Sequence, residues 1–440
     1  MDESRRLAQT LDLCLRIGEV LLSSGAGAAD VTATMRVVAQ ALDVRNPQVD
    51  VTFTSLSMTA QHADELPVFQ MRQVMQRDID YEDLTRVDHL VRDIVAGRAD
   101  MQTARARVAR IASSGHARPR WAASAGWGLM CAGTGLQLGG SVAVVVVAFV
   151  AAVSIDRLQL AMSKRRLPFF YQQIAGGGVA TILAAVATKL TESFVHMDAS
   201  LVVSANIIML LAGIGFMGAI QDALSGFYLT GGARVLEALL ATGGIIAGVS
   251  GGFSLAATLG FDLPVLVPAR TDLVGVSVAA GGAAVGAAAF AYASYAPMRS
   301  LIPIGLLSGF ALAISETIAL QDFGRPWSVG VAAFVVGLVS YAVASRLRVP
   351  PFVIVVPAVV PMLPGLSIYR GLALLTATGH PAVAEGLLSM VTAASTATAL
   401  AAGVILGEYV AQPVKREARR VETRLAGPRL VGVTRFRRHR

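Results

Sequence analysis

The chain has 440 residues, a formal net charge of +8 and 54% hydrophobic residues, with a mean hydropathy of +0.61. Only 15% of residues are charged, against roughly 25% in soluble domains, which excludes a single soluble globular fold. The positive excess does not describe a nucleic-acid binder: the arginines sit at the ends of apolar segments and in the C-terminal tail, without interleaved aromatics, as in the loops of membrane proteins.

Residues 1–120 carry most of the acidic charge, and 121–411 are nearly free of charge. The first region begins with an amphipathic helix bearing Leu7, Leu11, Cys14, Gly18 and Leu21 at helical spacing and ending near Ser24-Gly25. Asp2, Glu3, Asp12 and Glu19 within it exclude a signal peptide. A second helix is expected after Asp30, with Val31, Met35, Val38 and Leu42 on one face. Val49, Val51 and Phe53 alternate as a strand, and Phe69 and Met71 suggest its partner. Two helices follow, one with Leu84, Val87, Val91 and Ile94, the other with Met101, Ala104, Val108 and Ile111. The expectation is a small cytoplasmic α+β domain over 1–120. His62, Asp64, Asp88, His89 and Asp93 have no ligand-motif spacing and read as surface charge, and the two cysteines, Cys14 and Cys131, build no disulfide framework or zinc site. No cofactor or metal is expected. The P-loop pattern G-x-x-x-x-G-K-[ST] is missing, which argues against an ATP-driven pump on this chain.

Beyond residue 120, apolar segments of roughly the 20 residues that span a bilayer lie at 121–138, 139–156, 169–189, 199–221 and 231–258. After a connection at 259–272 with Pro264 and Pro268, more lie at 273–295, 299–320, 327–345, 350–376 and 382–411. Residues 412–440 form a basic tail. The fold expected is an α-helical polytopic membrane protein of ten transmembrane helices. Arg157, Lys164 to Arg166, Arg234, Arg299, Arg346, Arg348 and the tail fall on one side, Lys189, Arg270 and Arg325 on the other. That asymmetry places both termini in the cytoplasm.

The two sets of five segments echo each other. Leu211-Ala212-Gly213-Ile214 answers Leu363-Pro364-Gly365-Leu366, and Ala247-Gly248-Val249 with Gly252 answers Ala402-Gly403-Val404 with Gly407. Five spans per half invert the second half, 121–258 against 273–411, giving the inverted repeats common in secondary transporters. The ninth segment holds Pro350, Pro351, Pro357, Pro361 and Pro364 and is expected to break around Pro361–Gly365. The fourth, with Gly213, Gly215 and Gly218 but no proline, is expected to break more mildly.

Ionisable groups at bilayer depth are candidate functional residues. Arg370, beside Tyr369 after the second break, is assigned to a substrate carboxylate; Asp222, ending the fourth segment, to an amino group or a coupling proton. Glu237 either joins Asp222 in proton coupling or pairs with Arg234 three residues before it. Glu408 reads as reaching for the interface and Glu316 as lying near the outer surface. Asn206, Gln172 and Gln173 read as buried amides, and Gly213, Gly215, Pro364, Gly365, Tyr369, Arg370 and Asn206 make up the expected substrate site. An enzyme reading rests on Gly248-Val249-Ser250-Gly251, the G-x-S-G of rhomboid-like proteases, but no histidine lies inside a span to act as base. A channel is the remaining alternative.

These residues resemble the bacterial threonine/serine exporter family over nearly the whole chain. The likeness is carried by Leu21-Leu22-Ser23-Ser24-Gly25-Ala26, by Val51-Thr52-Phe53-Thr54, by Ile207 to Asp222 with Gly226 and Arg234, and by Val356-Pro357 through Leu363-Pro364-Gly365 to Tyr369-Arg370-Gly371. Ala212 stands where the family pattern leads one to expect proline. The resemblance implies export of L-threonine and L-serine across the bacterial inner membrane by an antiporter driven by protons, with no enzymatic activity. Related two-protein versions of the architecture imply dicarboxylate (succinate) export as an alternative substrate class. The partners implied are the amino acid, the lipid bilayer and protons; a homo-oligomer is compatible with the sequence.

Overall fold

The computed structural model describes residues 2–61, 66–74, 78–191, 197–210, 213–260, 273–321, 324–376 and 380–425. His62, Asp64, Ala212, Pro264, Pro268, Arg270 and the end of the tail lie outside them.

The N-terminal elements are α1 (Asp2–Ser23), α2 (Ala28–Ala41), β1 (Gln48–Val51), β2 (Ser55–Ala60), β3 (Val68–Gln73), α3 (Tyr81–Val95) and α4 (Met101–Ser113). The strands form one antiparallel sheet in the order β1-β2-β3, with Val49 opposite Met58 and Met58 opposite Gln70. The sequence reading of two strands is corrected to three. In β2 the buried Leu56, Met58 and Ala60 alternate with Ser55, Ser57 and Thr59. The strand went unrecognised because small and polar residues dilute its apolar signal. β3 also inverts its expected face: Phe69 and Met71 are exposed, while Gln70 donates to the Ala8 carbonyl (3.1 Å) and Arg72 pairs with Asp12 (2.9 Å) and Glu19 (2.7 Å) of α1. Burial pushes the Asp12 carboxyl up, but the Arg72 and Arg16 guanidiniums outweigh it and hold it below the usual range. Asp80 caps α3 by accepting from the Glu82 and Asp83 amides, and Asp100 caps α4 through the Thr103 amide.

The remaining helices are α5 (Arg120–Gln137), α6 (Val142–Lys164), α7 (Phe169–Thr191), α8 (Ala199–Leu210), α9 (Gly213–Leu224), α10 (Tyr228–Thr258), α11 (Leu273–Ala293), α12 (Met298–Ala319), α13 (Arg325–Leu347), α14 (Phe352–Val359), α15 (Gly365–Thr376) and α16 (His380–Leu425), with a 3-10 turn at Val360–Met362 between α14 and α15. Among the described residues seven helices are long and apolar enough to cross a membrane, or nine spans if α8–α9 and α14–α15 each count as one. α5 is not among them. It carries Ser124, Gly126, Gly128, Gly133, Thr134, Gly135 and Gln137, and most of these positions are buried against other helices. The chain is a mostly helical, polytopic membrane protein.

Several seams bring helix backbones into direct contact, as small residues allow, including α11–α12, where Cβ atoms at Gly305 and Gly309 would meet the Ala284 and Ala280 carbonyls at 2.8 Å. In α5–α11, a Cβ at Gly133 would meet the Gly286 amide at 2.6 Å and the Gly282 carbonyl at 2.7 Å. In α7–α10, a Cβ at Gly177 would meet the Ile245 carbonyl at 2.8 Å, Gly248 faces the Ile174 carbonyl, and a Cβ at Gly252 would meet the Thr181 side chain at 2.8 Å. In α13–α16, Gly403 and Gly407 face the Gly330 and Phe334 carbonyls. Gly248 in α10 and Gly403 with Gly407 in α16 thus each face backbone carbonyls of a neighbouring helix, α7 and α13 respectively.

Candidate translocation site at two broken spans

The two broken spans are α8–α9, bent by 42°, and α14–α15, bent by 48°. The proline-free break is nearly as sharp as the proline-rich one. At the second break, Leu363 is extended (φ −61°, ψ 140°), as the residue before a proline prefers. α15 restarts when the Ile368 amide donates to the Pro364 carbonyl (3.0 Å). A break frees carbonyls that a bilayer cannot satisfy. Here Gln137, at the end of α5, donates from Nε2 to the Pro361 carbonyl at 3.0 Å.

The breaks face each other. Tyr369, 6% exposed, packs in one cluster with Val202, Val203, Ile207 and Leu210 of α8 and with Ile245 and Val249 of α10. Just past the first break, Phe216 packs with Ile368 of α15 and with Ala393 and Ala397 of α16. Pro364 and Gly365 are buried, Gly215 and Arg370 are half-buried, and Gly213 begins α9. Asn206 is fully buried a turn before the break. Its Nδ2 donates to the Val202 carbonyl (2.9 Å), while its Oδ1 and the Oε1 of buried Gln173 in α7 have no hydrogen-bond partner among the described residues. Gln172 is only half-buried. Two buried, unsatisfied acceptors are costly in a folded protein and call for a donor from water or a ligand. No described carboxylate is ion-paired with Arg370.

Asp222 lies nine residues beyond the start of α9, about 14 Å along a helix, so it stands apart from the breaks. It is 2% exposed and doubly engaged. Oδ1 accepts from the Ala28 amide at 2.9 Å, and Oδ2 is 2.9 Å from Nη1 of Arg234. Arg234 also donates from Nη2 to the Ala26 carbonyl (3.4 Å). Gly218 leaves room for that guanidinium, since a Cβ there would meet Nη1 at 2.9 Å. The pairing of Glu237 with Arg234 is therefore corrected: the guanidinium turns to the buried Asp222, and Glu237 is exposed. The start of α2 is corrected for the same reason. It begins at Ala28 rather than after Asp30, because Gly27 offers no side-chain cap and a carboxylate 194 residues away supplies one. Asp30, outside the spans, has its carboxyl pushed up by burial and by the neighbouring Asp222.

Sequence reasoning overlooked Asp156. It is buried in α6 and bonded to Arg120 (2.6 Å) and to the Ser124 hydroxyl (2.5 Å); a lone carboxylate at the end of an apolar run carries little signal. Glu316 pairs with Arg325 across the α12–α13 connection (2.8 Å), and Glu408 is half-buried. His89 is hydrogen-bonded to the Arg348 carbonyl (2.8 Å), and no group of metal-binding side chains occurs among the described residues.

The family model described as "Putative threonine/serine exporter" matches residues 12–256, and "Threonine/Serine exporter, ThrE" matches 280–410. A curated relative from Mycobacterium tuberculosis, "Probable threonine/serine exporter", is 34% identical over 429 residues, 96% of this chain and 80% of the relative. The "Threonine/serine exporter" of Corynebacterium glutamicum is 33% identical over 425 residues, 95% of this chain and 86% of the relative. No solved structure matches. The family is one of transporters rather than enzymes. With both family models in register on a chain of broken and paired apolar helices, the protein belongs to the threonine/serine exporter family.

Proposed function

We propose that this chain exports L-threonine and L-serine across the bacterial inner membrane, driven by the proton gradient. The observation that carries the reading is the pair of facing broken spans beside Asn206 and Gln173, whose acceptor oxygens lack partners, in a chain whose relatives bear the name of threonine/serine exporters. Arg370 and Tyr369, with the backbone around Gly213, Gly215, Pro364 and Gly365, receive the carboxylate, and Asn206 the ammonium group. Asp222 carries the coupling proton. Glu237, exposed and away from Asp222's ion pair, has the weaker claim to share that role. Ten spans arranged as inverted halves, 121–258 and 273–411, joined by 259–272, underlie the cycle. α5 is the tenth span, and the matching seams of Gly248 and Gly403 support the repeat. Residues 1–120 form the cytoplasmic domain and 412–440 the cytoplasmic tail, as the arginine-rich loops favour.

The test is efflux from proteoliposomes holding the purified protein, with labelled threonine, serine and succinate offered in parallel, with and without a pH gradient. Gradient-stimulated movement of threonine and serine is expected, with a raised KM in Arg370→Gln. Movement of succinate alone would replace the substrate class, and movement indifferent to the gradient would remove the proton.

A further inference from the structure

The N-terminal elements dock on the membrane helices at two places of opposite chemistry. The first dock is on α9 and α10. Its bonds are polar: the Ala28 amide on Asp222, Arg234 on the Ala26 carbonyl, and the Thr230 hydroxyl on the Val51 carbonyl (3.4 Å). Each of these groups can trade its partner for water. The second dock is on α11, the turn that follows it, and α14. Tyr81 is fully buried, edge-on to Phe290 (6.3 Å, 78°) and Phe352 (6.3 Å, 67°). Its amide donates to the Ser294 carbonyl (2.9 Å). Arg118 donates to the Tyr292 carbonyl (2.6 Å) and to the Ala296 carbonyl, and lies over the Tyr292 ring (4.6 Å). His116 stacks on Tyr295 (3.8 Å). Opening this dock would expose aromatic surface, which water does not compensate.

The two docks are on helices that do not pack strongly on each other. α9 and α10 pack with α7, α15 and α16, whereas α11, α12 and α14 pack with one another, with α13, and through α11 with α5; the two groups meet where α13 packs on α16. A carrier opens by moving one group of helices against another. Elements tied to both groups would hold them in one arrangement, so one tie has to yield during transport. We propose that the N-terminal elements are a latch of the transport cycle, fixed on α11, the turn that follows it and α14, and releasing α9 and α10 whenever the pathway opens to their side.

This inference rests on the reading of the chain as a carrier, and the experiment separates the two. Two double variants of the full chain are reconstituted: Val51→Cys with Thr230→Cys at the first dock, and His116→Cys with Tyr295→Cys at the second. Both are bridged by a short bis-methanethiosulfonate reagent, each end of which forms a reducible disulfide with one cysteine thiolate and releases sulfinate, with bridging followed on gels; the native Cys14 and Cys131 are buried, so the wild type is the control. Threonine efflux is expected to fall more than tenfold on bridging the first pair and to return on reduction, and to change less than twofold on bridging the second. Equal efflux with the first pair bridged, or equal loss from both pairs, would overturn the latch. Absence of threonine and serine efflux in the wild type would instead remove the carrier reading. A single variant, Thr230→Cys, gives an independent readout, because Thr230 is 1% exposed: its labelling by a soluble maleimide rises during turnover if the latch releases, and stays flat if the dock is static.

Discussion

Replacing Gly133 by alanine tests the α5–α11 seam, and with it the place of α5 in the bundle. A Cβ at this position would lie 2.6 Å from the Gly286 amide nitrogen, 2.7 Å from the Gly282 carbonyl oxygen and 2.9 Å from the Gly286 α-carbon. All three are backbone atoms of α11, so no side chain can swing aside; the two helices must separate by most of an ångström. Overpacking of this kind costs about 1–3 kcal/mol, and rigid neighbours put Gly133→Ala near the upper end. The better helix propensity of alanine returns about 1 kcal/mol, leaving a net loss of about 2 kcal/mol. The control is Gly232→Ala on α10, where a Cβ meets nothing within 4 Å; it should be neutral or gain up to about 1 kcal/mol. Thermal unfolding of the detergent-solubilised protein compares the two. A Gly133→Ala variant as stable as wild type would refute close α5–α11 packing and remove the main physical support for α5 as a tenth span.

Gln137→Ala leaves the Pro361 carbonyl without its donor and should cost about 1–3 kcal/mol of stability, with slower export; an unchanged melting curve would mean that water serves that carbonyl equally well. Arg234→Ala strands the buried Asp222 carboxylate and should destabilise by about 3–5 kcal/mol. Adding Asp222→Asn should recover part of that loss, and a double variant less stable than Arg234→Ala would contradict the pairing. The Asp83 carboxyl is pushed up to about 6 by burial and by Asp80, against the pull of Arg86. It binds its proton more tightly folded than unfolded, so its contribution is present below about pH 4 and lost as pH rises through 6. Asp83→Asn should therefore match wild type near pH 4 and exceed it above pH 7, by about 1 kcal/mol once solvent screening of this half-buried group is allowed for; melting curves across that range would show any opposite trend.

The helices were legible because apolar periodicity and length determine them locally. The periodic faces at Leu84–Ile94 and Met101–Ile111 became α3 and α4, and the prolines of 350–364 foretold the break before Gly365. What escaped the sequence was set by partners far along the chain. The start of α2 depends on Asp222, and the polar inner face of β3 depends on Asp12 and Glu19 of α1. The satisfied carbonyl at Pro361 depends on Gln137. Around the candidate site, the break at Pro364 and Gly365 was legible because its prolines disfavour continuous helix, and Asn206 was legible as a buried amide. The engagement of Asp222 was not, since nothing near residue 222 announces that the chain's first thirty residues return to it.

The seams and the breaks divide the bundle in a way that bears on mechanism. Close-packed interiors resist small deformations and respond to larger ones by switching between discrete arrangements. The glycine seams of α5–α11, α7–α10 and α13–α16 place backbone against backbone, so each pair should move as one body. α8 and α15 instead meet each other and α10 through side chains such as Leu210, Ile368 and Tyr369, contacts that can be remade by rotamer changes, while α9 is held more closely to α10, where a Cβ at Gly231 would meet the Ala219 carbonyl at 2.7 Å. A bend of similar size in α8–α9 and in α14–α15 supplies the hinge, and the unsatisfied Asn206 lies about a turn before the first of them. On this division the groups proposed to contact a substrate sit on the deformable spans and the seams transmit the motion. Bulk added at a seam should then lower stability and transport together, whereas a conservative change at Tyr369 or Asn206 should alter KM while leaving the melting curve nearly unchanged.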